Sequence, residues 1–161
     1  MTQSTIEARL AILEAKEEVR EFVAQYCTIT DKMNAIDELM DLFTEDAVMR
    51  NAVGTYSGRA AIHDYYANFF TDSTKFARHH VLNQVITVVE PGLARHESYF
   101  MAMLGRDGES KIAYGRYDDT IVKSEGRWQF KEKVNDVVAA TSLEAGWAEG
   151  FAADQARAVG R

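Results

Sequence analysis

From residue 5 onward, apolar positions recur at intervals of three and four: Ile6, Leu10 and Leu13, then Val19, Phe22, Val23 and Tyr26. Glu, Lys and Arg occupy the positions between them, which is the pattern of an amphipathic helix. Ser4 or Thr5 can cap its start, so a helix is predicted over 5–30 with Tyr26 on its apolar side. Asn34 can cap a second helix over 35–43, pairing with Asp37, with Leu39, Leu42 and Phe43 as its buried face. Residues 47–50 read as a short strand, and 54–58 as a turn with a strand fragment. A third helix opens at Gly58 and Arg59 and carries Ile62, Tyr65, Tyr66, Phe69 and Phe70.

After Phe76 the chain turns to strands rich in Val, Ile and Thr. Four are predicted, over 77–90, 93–105, 110–123 and 127–138. The turns between them each contain a Gly, at Gly92, Gly108 and Gly126, where left-handed backbone is needed. Connections this short force consecutive strands to pair antiparallel. Helices first and a strand meander afterwards predict an α+β domain. Its expected form is a curved antiparallel sheet making a cone, with N-terminal helices packed over one face and a cavity for a ligand between them. Residues 141–161, rich in Ala, Gly and acids with Trp147 and Phe151, read as a tail or lid on a single domain spanning 1–161.

Composition narrows the function. A chain of 161 residues, 47% apolar and 27% charged, suits one globular domain with a real core. The net charge of -7, with acids spread along the chain, argues against nucleic acid and against a polyanionic substrate. Cys27 is the single cysteine, so no intrachain disulfide or cysteine metal cluster forms, and it reads as a small buried apolar residue. No apolar run approaches the ~20 residues of a membrane span, and 1–15 lack the apolar centre of a signal peptide. The expectation is a cytoplasmic protein that does not touch membranes.

The stretch 77–89 carries the candidate chemistry. Titratable groups in so apolar a strand are costly unless partnered or used. Alternation sends His79 and His80 to opposite faces, so at most one reaches the cavity. The same alternation disfavours a His-His metal site, and no metal is expected. His63 beside Asp64 and His96 beside Glu97 read as surface or structural residues. Pocket walls are expected from one face of each strand, with Tyr99, Met101, Tyr117 and Lys133 as candidates; Arg116 is expected to pair with a nearby acid. If the strand phase slips by one, Arg116 and Tyr114 replace Tyr117. Aromatic rings and Met suit a small apolar, cyclic or aromatic substrate.

Three blocks carry a family resemblance: 43–48 (Phe-Thr-Glu-Asp-Ala-Val), 58–62 (Gly-Arg-Ala-Ala-Ile), and 115–119 followed by 126–130. In order and spacing they resemble the nuclear transport factor 2-like superfamily, in its SnoaL-like branch. Within it the chain is most similar to the scytalone dehydratase, hexachlorocyclohexane dehydrochlorinase and bile-acid dehydratase group, which are cofactor-free lyases using a His-Asp pair. The resemblance implies that Asp31 is the aspartate and His79 the histidine of that pair. Tyr26, five residues before Asp31, matches the dehydratase tyrosine. Lys133, five after Trp128, stands where the dehydrochlorinase has an arginine; the change loses a bidentate fork and weakens a leaving-group role. Residues 141–161 match nothing in the group.

The implied function is a lyase needing no cofactor. His79, held by Asp31, abstracts a proton while water, halide or a small carbonyl fragment leaves, and Tyr26 donates a hydrogen bond. An isomerase or polyketide-type cyclase would use the same residues, and a non-catalytic binding module would use the same fold. The exposed outer face of a curved sheet predicts a homodimer or homotrimer.

Overall fold

The computed structural model describes residues 3–70, 74–106 and 108–144. Three helices come early: α1 (Gln3–Thr30), α2 (Ile36–Met40) and α3 (Arg59–Phe69). Between the last two lie β1 (Phe43–Asn51) and the short β2 (Thr55–Ser57). Four long strands follow: β3 (Thr74–Glu90), β4 (Leu93–Arg106), β5 (Glu109–Ser124) and β6 (Arg127–Ser142). The six strands form one curved, unclosed sheet in the order β2-β1-β6-β5-β4-β3. The fold is α+β and mainly antiparallel, with the N-terminal helix on the inner face.

Several local expectations change. The first half of helix α1 buries neither face: residues 5–14 are all exposed. Ala15, Val19, Phe22, Val23 and Tyr26 pack into the core, whereas Ile6, Leu10 and Leu13 are 59%, 53% and 63% exposed. At 100° per residue those three fall opposite the buried stripe, so periodicity was present but belonged to another face. The second helix is a single short turn capped at Ala35 without a side-chain hydrogen bond, so Asn34 does not cap it. Leu39, Leu42 and Phe43 are buried as expected, although Phe43 already begins β1. All four long strands run further than their patterns suggested, and β6 extends into what reads as tail. The rest of the expected lid lies outside the described residues.

The larger departure is topological. β6 closes a meander on one side but on the other pairs parallel with β1, from Phe43 opposite Phe130 to Asn51 opposite Asn135. This seats β1 beside the last strand and brings Phe43, Phe130, Phe22 and Tyr26 into one aromatic cluster. Glu18 fastens α1 to the far end of the sheet, accepting from Lys123 Nζ (2.6 Å) and Trp128 Nε1 (2.7 Å).

Candidate active site

Asp31 stands just past α1, with its N–H bonded to the Cys27 carbonyl at 2.9 Å. Met33, in the left-handed region at φ 63°, turns the chain away. A helix C-terminus disfavours an anion, so this carboxylate needs donors. They come from β3. The His79 backbone N–H is shared between the two carboxylate oxygens, at 3.2 and 3.0 Å, and its Nδ1–H donates to Oδ1 at 2.7 Å. With Nδ1 committed to the carboxylate, Nε2 keeps the lone pair that can accept a proton. The two side chains are 12% and 14% exposed, largely desolvated but open. His80 is exposed and takes the outward position that alternation requires.

Register shows what lies beside the pair. His79 is opposite Ala102, which is opposite Ala113, which is opposite Ala140. Three alanines in a row leave the inner face bare at the level of the imidazole. The next row holds Val81, Phe100, Gly115 and Val137; the one after, Ser98, Tyr117 and Asn135; the last, Ile86, His96, Asp119 and Lys133. Side chains therefore lengthen away from His79, and the smallest ones of the inner face stand next to it.

Three tyrosines face this interior. The hydroxyls of Tyr26 and Tyr66 hydrogen-bond at 2.8 Å. Tyr117 meets Tyr26 edge-on at 6.2 Å and stacks on Phe100 at 4.5 Å. Burial holds the phenols of Tyr26 and Tyr117 well above their ordinary range and raises Tyr66 as well, so all three are neutral; within the Tyr26–Tyr66 pair one hydroxyl donates to the other, which leaves the pair one proton to give. Tyr66, on α3, was legible in the sequence only as a core aromatic. Its pairing with Tyr26 across 40 positions has no local signal.

Other candidates are placed differently. Tyr99 and Met101 lie on the outer face, because Tyr99 is opposite Arg116 whereas the inward Tyr117 is opposite Ser98. The expectation that both line the pocket is corrected: neighbours in sequence parity are not neighbours in register. Arg116 pairs on that outer face with Asp136 at 3.0 Å. Lys133 does lie on the inner face but is fully enclosed, so it walls no open space. His63 is at the surface beside Asp64, while His96 is completely buried and bonded to Asp119 at 2.9 Å. Among the described residues, no three His, Cys, Asp or Glu side chains converge as a metal ion requires, and no helix is long and apolar enough to cross a membrane.

The family model of the SnoaL-like domain matches residues 11–134. No curated protein matches. Among solved structures, the chain is similar to a candidate scytalone dehydratase from Novosphingobium aromaticivorans, with 26% identity, TM-score 0.76, and coverage of 83% of this chain and 90% of that one. A candidate aromatic ring hydroxylase from the same organism has 24% identity and TM-score 0.74, over 83% of this chain and 96% of that one. The hexachlorocyclohexane dehydrochlorinase of Novosphingobium barchaimii has 17% identity and TM-score 0.73, over 84% and 94%. The last two show likeness of fold.

Proposed function

The chain belongs to the SnoaL-like domain family, and on that premise we propose that it is a cofactor-independent lyase acting on a small apolar cyclic or aromatic substrate. The observation that carries this is the Asp31–His79 contact with Nε2 left free beside a row of alanines. In the reaction, His79 Nε2 takes a proton from a ring carbon. The C–H electron pair forms the new double bond while the bond to the leaving group on the neighbouring carbon breaks with its electron pair. A halide departs as the anion, whereas hydroxide or a carbonyl fragment takes the proton back from His79 Nε2 and departs as water or the neutral carbonyl compound. Asp31 fixes the tautomer and stabilises the imidazolium. The Tyr26–Tyr66 pair and Tyr117 supply neutral donors for a substrate oxygen. The candidate dehydratase among the structural neighbours is consistent with this chemistry.

A base and phenol donors in one hollow also suit an isomerase, which returns the proton to another carbon. Product mass separates the two: a lost fragment means elimination, an unchanged mass means isomerisation. His79→Ala and Asp31→Asn are expected to stay folded and to lose at least about a hundredfold in turnover of a hydroxylated or halogenated ring compound. Turnover at the wild-type rate in either variant, with circular dichroism unchanged, rejects the assignment. We infer in addition that the protein assembles as a homodimer or homotrimer through the outer face of the sheet, where Leu82, Val85, Met103 and Tyr114 are exposed.

A further inference from the structure

At the far end of the inner face lies a second carboxylate–imidazole pair that the proposed reaction does not use. Asp119 Oδ2 accepts from His96 Nδ1 at 2.9 Å, and its Oδ1 lies 3.5 Å from Lys133 Nζ. All three side chains are sealed from solvent. They stand side by side on β4, β5 and β6, so the arrangement is a row fixed by the sheet itself. A buried ion pair is a poor source of stability, and apolar residues of the same volume often serve as well or better. Its retention therefore asks for another use.

The ammonium shows what that use is. Lys133 Nζ lies 3.7 Å from the ring centroid of Tyr117, 4.2 Å from that of Tyr26 and 4.6 Å from that of Phe130. Two of those rings carry hydroxyls assigned above as donors. Phe100 stands in the row before Tyr117 and Lys133 in the row after it, so the Tyr117 ring is held from both sides. A cation against the face of a phenol is attracted more strongly as negative charge builds on that ring. A hydroxyl backed in this way becomes a better donor to an oxygen that gains charge during reaction. Burial draws the Lys133 amine down from its ordinary range, and Asp119 opposes that shift, which favours the ammonium.

We propose that the His96–Asp119–Lys133 row is the electrostatic support of the tyrosine donors: His96 orients Asp119, Asp119 holds the Lys133 ammonium, and Lys133 strengthens the hydrogen bonds that Tyr117 and the Tyr26–Tyr66 pair give to a ligand oxyanion. Lys133 is thus a positioning residue that touches the rings and not the substrate. The inference rests on the donor role given to these tyrosines in the proposed function.

The test uses the full chain and two readouts. One is the affinity for 4-nitrophenolate, an aromatic oxyanion that needs no turnover. The other is kcat and KM on any ring compound that the wild-type protein converts. Lys133→Met combined with Asp119→Asn removes both charges together and leaves neither buried alone. It is expected to bind 4-nitrophenolate at least tenfold more weakly and to lose kcat by a similar factor at nearly constant KM. Lys133→Arg, keeping the charge, should recover most of both. Adding Tyr117→Phe to the charge-free variant should cost less than Tyr117→Phe costs alone, because the lysine acts through that ring. Wild-type affinity in the charge-free variant, or losses that simply add, overturn the proposal. A wild-type protein that leaves 4-nitrophenolate unbound removes the donor cluster and the proposal with it. One that binds the probe but converts no ring compound sinks only the lyase reading.

Discussion

The thiol of Cys27 sits one helical turn before Asp31, in the same interior as Tyr26 and Lys133. Burial pushes it up from its ordinary value of 9.0 to about 12. Near neutral pH almost none of it is thiolate, so iodoacetamide should leave the native protein unlabelled and modify it once urea unfolds the chain. The same shift has a stability consequence. The raised value contributes fully below pH 9 and is lost as pH climbs from 9 towards 12, because the unfolded thiol gives up its proton first. Urea unfolding should therefore show the wild type losing about 1 kcal/mol more than Cys27→Ala between pH 9 and pH 10. Lys133 works in the opposite sense, its burial penalty easing as pH approaches 10.5, so the difference between the two proteins is the quantity to read. At this scale the sequence was partly legible. A lone cysteine on an apolar stripe reads as buried, and a resemblance singled out Asp31 and His79. Nothing local ties Asp119 to His96 and Lys133, since the three are scattered over three strands and meet only through register.

Among the elements, β5 is bound to its neighbours by an absence. A Cβ on Gly115 would lie 2.2 Å from the Asp136 carbonyl oxygen and 2.6 Å from the Phe100 ring. The ring occupies the space that a side chain would fill, and there it stacks on Tyr117. Gly115→Ala must displace either backbone or ring, at a cost of about 3 kcal/mol in unfolding free energy by urea titration. A variant within about 0.5 kcal/mol of wild type would mean that the row is looser than its contacts imply. The long strands were readable because alternation and glycine turns agree over many residues. Their phase across hairpins was not: one residue of register separates the inward Tyr117 from the outward Tyr99. The first half of α1 misled for a related reason. Ile6, Leu10 and Leu13 keep helical spacing, yet the face towards the sheet carries small residues such as Ala15.

For the molecule as a whole, the outer face of the sheet joins exposed Leu82, Val85, Met103 and Tyr114 to the half-buried Tyr99 and Met101. Apolar exposure gathered on one face favours self-association. Light scattering at micromolar concentration should give two or three times the mass of one chain, and charged substitutions at Val85 and Met103 should return it to one. A wild-type mass of 18.1 kDa would contradict the inferred assembly. Fold class was open to reading because the order of helices and strands constrains it. The partner of β1 was not, because a strand's edge carries no mark of which distant segment will meet it. That parallel seam also imposes a schedule on synthesis. Phe43 emerges early from the ribosome, but Phe130, with which it pairs, is made 87 residues later. Until then β1 has only the three residues of β2 beside it. The nascent chain must wait with one edge of β1 unpaired, and that interval is when chaperones or a sister chain have their opportunity.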